Sequence, residues 1–217
     1  MNKILVSDII DLNTGSYILE CTNNELDVNI NGEVTIYLIN EKLNEINIKL
    51  EDKSILNVYK YNKYCENSLV VNIDQLNNSK INYNEAFINN LDNELIINNN
   101  IIGNDNESVI NVRNIYNDET SKIIINVNVL KNTINNIALE DLKGINNGGF
   151  IHIEPNIICE SNEVSANHLT TIGSLDKRVL EYLMSKGIKE SDAKSLLLKG
   201  FIFSNMDDDI KDVCGGE

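Results

Sequence analysis

The chain has 217 residues, 33 of them acidic and 18 basic, giving a formal net charge of -15 and a pI near 4.5. That length suits one core-bearing domain plus a small appendage, and the charge argues against nucleic acid, which is held by clustered Lys and Arg. No run approaches the roughly 18 uninterrupted apolar residues of a membrane helix, and Met1 to Ile10 lacks the small-residue cleavage site of a signal peptide, so the expectation is a cytoplasmic protein with no membrane partner.

From the N-terminus, short β-branched runs alternate apolar residues with Asn, Asp, Glu or Lys: Leu26 to Ile30, Val34 to Ile39, Ile46 to Leu50, Ser68 to Ile73, Glu94 to Ile97, Val109 to Val112, Lys122 to Val129 and Phe150 to Ile153. A period of two marks strands with one buried face. Between the runs lie Asn31-Gly32, Asn77-Asn78, Gly103 to Asn106 and Asn146 to Gly149, turn chemistry that tolerates positive φ. The strands follow no single strict period, so a sandwich, a barrel and a solenoid all remain open on pattern alone. Asparagine occurs 39 times, but only once after His168, at Asn205; composition breaks there.

Beyond the break the pattern is helical. Ser174-Leu175-Asp176 caps a segment with Val179, Leu180, Leu183 and Met184 on one stripe, and Gly187 stands at the C-terminal cap. Ser191-Asp192 reads as the cap of a second segment carrying Ala193, Leu196, Leu197, Gly200 and Phe201. The boundaries predicted are a β region over 1–170, a helical hairpin over 171–204 and a loose acidic tail over 205–217. A hairpin of about 30 residues is too small to fold alone, so its apolar faces must rest on the β region, on another chain, or on both. The four cysteines, Cys21, Cys65, Cys159 and Cys214, form no C-x-x-C pair and read as free thiols rather than a zinc site or disulfide framework.

One segment carries a family resemblance. It runs from Pro155 through Cys159, Glu160, Glu163, Asn167-His168 and Ile172-Gly173 to Tyr182-Leu183, Ser185-Lys186-Gly187-Ile188, Ala193, Leu196-Leu197 and Gly200-Phe201. Over about 50 residues its order and spacing resemble the C-terminal signature of the SufB/SufD family, scaffold proteins of the SUF iron-sulfur cluster assembly system. The resemblance implies a mainly β protein, a right-handed parallel β-helix (solenoid) followed by a small C-terminal α-helical domain. It further implies a SufC-type ABC ATPase docked on the helices, and pairing with another SufB/SufD-type subunit or with itself. It implies a transient iron-sulfur cluster and no stably bound cofactor. Family members are typically about twice this length. Cluster-building SufB-type members carry a Cys in the strand before the equivalent of Pro155, whereas Asn136 to Asp141 contains none, and His168 is followed by Leu169 rather than Glu. These departures point to a short SufD-like or minimal scaffold subunit.

His168 is the leading metal-ligand candidate, since neutral imidazole ligates iron near neutral pH; the plainer reading is a histidine bonded to backbone at the β-to-helix junction. Cys159, nine residues earlier, could join it across a solenoid corner, with Glu160 and Glu163 adding carboxylates, against a small buried filler and a solvated acidic face respectively. His152, between Ile151 and Ile153, points away from the core. Tyr182, Leu183, Gly187, Ala193, Leu197, Gly200 and Phe201 are the candidate ATPase-docking residues, or ordinary packing residues. No phosphate loop, nucleophile elbow or H-E-x-x-H motif occurs, so the chain is expected not to be an enzyme. A structural paralogue supporting no cluster, and a carbohydrate-active β-helix, are the rival readings; the absent secretion signal and the helical hairpin oppose the second.

Overall fold

The computed structural model describes residues 2–39, 43–63, 67–89, 92–117 and 120–213. Thirteen strands, β1 (Asn2–Val6), β2 (Ile9–Cys21), β3 (Glu25–Leu38), β4 (Glu45–Leu50), β5 (Ile55–Lys63), β6 (Asn67–Gln75), β7 (Lys80–Asn89), β8 (Asn93–Ile101), β9 (Glu107–Tyr116), β10 (Thr120–Val129), β11 (Asn136–Asn146), β12 (Phe150–Cys159) and β13 (Val164–Gly173), precede helices α1 (Lys177–Ser185), α2 (Glu190–Ile202) and α3 (Asp208–Val213). Every pairing is parallel; β1, β2, β3 and β4 pair in succession, and from β3 onward each strand also pairs with the second one along, in the order β12-β10-β8-β6-β4-β3-β5-β7-β9-β11-β13. Such skipping is the topology of a solenoid. One face stacks β4, β6, β8, β10 and β12, the other β5, β7, β9, β11 and β13, and the long strand β3 bends to serve both, pairing with β4 through Glu25 to Ile30 and with β5 through Glu33 to Leu38.

The coil widens along most of the chain, before the last β11–β13 turn narrows to twenty-eight residues, Asn136 to Val164. Asn2 pairs with Tyr17, fifteen residues on; Glu25 with Glu45, twenty; Asn67 with Asn93, twenty-six; Thr120 with Phe150, thirty. This drift is why no single period shows in the sequence. Inward positions fill the axis with Leu, Ile and Val, among them Ile30, Leu50, Val71, Ile97, Ile123, Ile125 and Val127, all buried. The left-handed positions Asn78, Asp105, Asn132 and Asn135 sit at the corners, as residues that bond their own backbone do. Gly103 is required by close approach: a Cβ there would lie 2.6 Å from the Asn77 amide nitrogen.

Asparagine has a second use, on the outward surface. Asn156 donates to Asn126 (3.1 Å), Asn126 to Asn98 (2.9 Å), Asn98 to Asn72 (2.9 Å), Asn72 to Asn47 (2.8 Å) and Asn47 to the Asp27 carboxylate (2.9 Å). A shorter ladder runs from Asn128 through Asn100 to Asp74. In a parallel stack identical side chains fall one strand spacing apart, about 4.8 Å, a span that an amide bridges with its own donor and acceptor.

The sequence reading missed β5 and β7 because a charged pair breaks their alternation. Lys60 and Glu85 occupy paired inward positions, both buried, with Nζ 2.6 Å from the carboxylate, and Tyr83 donates to the other Glu85 oxygen at 2.6 Å.

The C-terminal helices lie across the outward side of the β5-to-β13 face. Ala86, Ile115, Ile145 and Ile202 form a second buried cluster, ringed by Tyr61, Leu198, Phe201, Phe203 and Met206. Arg113 clamps this seam, paired to Asp141 at 2.6 Å and donating from Nε to Ser204 at 3.2 Å. The tail departs from the loose segment predicted: Asp208–Val213 is helical, Ile210 is 1 % exposed and Tyr37 donates to Asp207 at 3.2 Å. Tyr37 and Tyr59 stack at 5.6 Å and form the shelf that the tail needed. The start of α2 also differs. Its N-cap is Lys189, and Ser191 and Asp192 lie within the first turn with no capping side-chain bond. The last strand extends three residues past the predicted boundary, to Gly173.

Candidate functional site: the open end of the solenoid

The final rung, β12 and β13, has no rung above it. Parallel pairing puts partners on the same side, so the inward residues of β13 are read from β11: Asn136, Ala138, Glu140, Leu142 and Gly144 are buried, and their partners are Val164, Ala166, His168, Thr170 and Ile172. These last five line the axis of the solenoid, yet all but the half-buried Val164 are exposed. On β12 the inward set is Ile151, Ile153, Pro155, Ile157 and Cys159, by register with the buried Ser121 to Val129 series. The rung ends as a largely apolar layer, its exposed Ile172 included, with two strand edges unpaired among the described residues and flanked by exposed Phe150, Ile158 and Leu169. Free edges of this kind are templates for strand pairing.

His168 therefore stands on the open end, directly over Glu140 in register. Cys159 also faces the axis but is exposed, so it is not the buried filler that its neighbours Ile157 and Ile158 suggest; nothing stacks above it. Glu160 and Glu163 are exposed on the turn between the last two strands. Among the described residues no three His, Cys, Asp or Glu side chains converge as a metal-holding group, so the predicted quartet is brought to one end of the molecule without being assembled into a ligand set. His152 points outward, as its alternation requires, and its Nε2 lies 3.1 Å from Glu154; that contact holds the Glu154 carboxyl below its ordinary value. Cys65 and Cys214 lie outside the described residues.

The residue that sequence reasoning missed is Glu140. It is 0 % exposed, both carboxylate oxygens lack a hydrogen-bond partner, and desolvation raises its pKa to about 7. Its signal was present as a charged residue at an inward position between Ala138 and Leu142.

The helical residues divide. Asp176 caps α1 by accepting from the Arg178 amide at 2.9 Å, and Gly187 closes it at φ +89°. No residue of α1 is buried; Val179, Tyr182 and Met184 are exposed apolar side chains, joined by Leu196 on α2. Of the predicted docking residues, Tyr182, Gly187 and Gly200 are exposed, Leu183 and Leu197 half-buried, Ala193 buried, and Phe201 packed onto the second cluster. The buried stripe of α2 runs through Ala193, Leu198 and Ile202, which leaves Leu196 and Gly200 facing out.

Fold and end geometry define a parallel β-helix protein with a helical appendage strapped over one face and its last rung uncovered. Residues 144–201, the last rung and the helical hairpin, match the family model described as SUF system FeS cluster assembly, SufBD core domain. The match supports SufB/SufD family membership and a role in SUF iron-sulfur cluster assembly. No curated protein matches the chain. No helix among the described residues is long and apolar enough to cross a membrane.

Proposed function

We propose that the chain is a scaffold subunit of SUF-type iron-sulfur cluster assembly, pairing through its open solenoid end and docking a SufC-type ABC ATPase through its C-terminal helices. The observation that carries this reading is the uncovered last rung. The inward residues of β13 from Ala166 onward face solvent and those of β12 past Ile151 are at most half-buried, where earlier rungs are roofed by the next, and a stack left in that state exposes apolar surface of the kind that marks interaction sites. The taper supports one occupant over others. A thirty-residue coil matches the cross-section of another such coil and not the fifteen-residue coil at the N-terminal end, so two copies, or two related chains, meet wide end to wide end as an isologous contact. That arrangement brings the two His168 positions toward one interface and lets the partner supply ligands that one chain does not assemble. The iron and sulfide are cargo, and ATP hydrolysis belongs to the docked ATPase; the scaffold has no turnover of its own.

Helix α1 supports the docking assignment, because an amphipathic helix with no buried residue has its apolar stripe to spare. Co-expression with a SufC-type ATPase tests it. The ATPase should co-purify with the wild-type chain and be lost with Tyr182→Asp combined with Leu196→Asp, both at exposed positions that leave the fold intact by circular dichroism. Undiminished co-purification of the double variant would reject the docking surface. A second reading, a structural subunit that supports no cluster, is favoured by the lack of a cysteine in Asn136 to Asp141. Anaerobic reconstitution with iron and sulfide separates the two: visible cluster absorption lost in His168→Ala supports the first, and identical spectra support the second.

A further inference from the structure

We propose that Glu140 is a positioning residue for His168: its carboxylate, hidden one rung below, accepts a ring N–H of the imidazole and leaves the other ring nitrogen directed out of the open end toward a divalent cation. The inference rests on the reading of His168 as a metal ligand and adds to it the group that orients the ring.

A buried carboxyl with no partner is expensive, and native proteins keep such groups for a reason. Glu140 is fully buried with neither oxygen bonded. Along β11 its inward neighbours are Ala138 and Leu142, and the inward side of the facing strand β10 carries Ile123, Ile125 and Val127, none of which has a side-chain donor. His168 is its Cα partner on the outermost strand, at one parallel strand spacing, about 4.8 Å, a separation that an imidazole N–H and a carboxylate close by side-chain rotation. His168 is exposed and free to make that rotation. Metal-binding histidines almost always donate their second ring nitrogen to a carboxylate, carbonyl or water, which fixes the tautomer and raises the basicity of the ligating nitrogen. Imidazole of that kind suits first-row divalent ions such as Fe²⁺, Co²⁺ and Zn²⁺.

The chain has only two histidines, so imidazole ¹⁵N spectra of the full-length protein resolve them. In the metal-free wild type, His168 should show a single tautomer with one nitrogen hydrogen-bonded; Glu140→Leu should convert it to the mixed pattern of a free imidazole, and Glu140→Gln, which keeps a carbonyl acceptor, should retain part of the wild-type signature. His152 should not change. Titration with Co²⁺ alone, followed by its visible absorption, should show affinity falling 10- to 100-fold in Glu140→Leu and at least as far in His168→Ala. Both Glu140 variants should melt no lower than wild type without metal, which separates loss of positioning from loss of fold. Equal ¹⁵N spectra and equal Co²⁺ affinity in wild type and Glu140→Leu would overturn the positioning role while leaving His168 a ligand. Equal affinity in wild type and His168→Ala would overturn the ligand assignment itself, and the positioning role with it.

Discussion

Glu140 makes the stability of this protein depend on pH in an unusual direction. A carboxyl whose folded pKa is raised from 4.5 to about 7 holds its proton in the folded state after the unfolded chain has lost it. Folding is then unpenalised below the unfolded value and grows costlier as pH climbs through the window from 4.5 to 7, by up to about 3 kcal/mol. Urea unfolding of Glu140→Gln should match wild type near pH 4.5 and exceed it by up to about that amount at pH 8; parallel curves at the two pH values would mean that the carboxylate is met by water or fully by the His168 ring N–H. Lys60 and Glu85 are the contrasting case. They too are charged and inward, but they neutralise one another at 2.6 Å, and the lesson is that a charge inside a stack is read correctly only when the opposing rung is read with it. Alternation along one strand puts Glu140 in step with Ala138 and Leu142 and Lys60 in step with Leu56 and Val58; only pairing between strands twenty-five or more residues apart shows whether the charge is met.

At the level of elements, the helices show what one stretch of sequence does and does not disclose. The cap at Asp176 and the stop at Gly187 were legible because each is set by the backbone needs of a single turn. The face of α2 was not, since its stripe is chosen by what it covers: Ile88, Ile115 and Ile145 stand in register on three successive strands and, with Ala86, accept Leu198 and Ile202 rather than Leu196 and Gly200. The short helix α3 escaped notice for the same reason, its one apolar anchor, Ile210, being buried against a surface assembled from distant residues. If α2 is held on the solenoid by this cluster, Ile202→Ala should cost about 2–5 kcal/mol as buried large-to-small changes do, and hydrogen exchange should rise first in α2 and the outward side of β9. Uniform loss of protection across the whole stack would instead mean that helices and solenoid unfold as one unit.

For the whole molecule, the division into a β stack and a helical appendage was written in asparagine usage, and the structure explains why: ladders and left-handed corners consume the residue, and both end with the solenoid. The choice of a solenoid over a sandwich came from the resemblance of the C-terminal segment, because drifting coil length hides the repeat. The location of the open end required coordinates. It yields a prediction for the assembly as well. In light scattering the purified chain, alone or with its partner scaffold, should have the mass of a pair, and Leu169→Lys combined with Ile172→Lys, at exposed positions on the last strand, should halve it. A wild-type mass of one chain under both conditions would remove the pairing proposal.

The widening of the coil bears on how such a chain changes over generations. In arrays built from equal modules, one unit is lost or duplicated and the neighbours close over the gap. Here the circumference changes along the stack, twenty residues at Glu25, twenty-six at Asn67 and thirty at Thr120, so a segment copied from one end would not close flush at the other. The molecule resembles a nest of graded cups more than a string of beads.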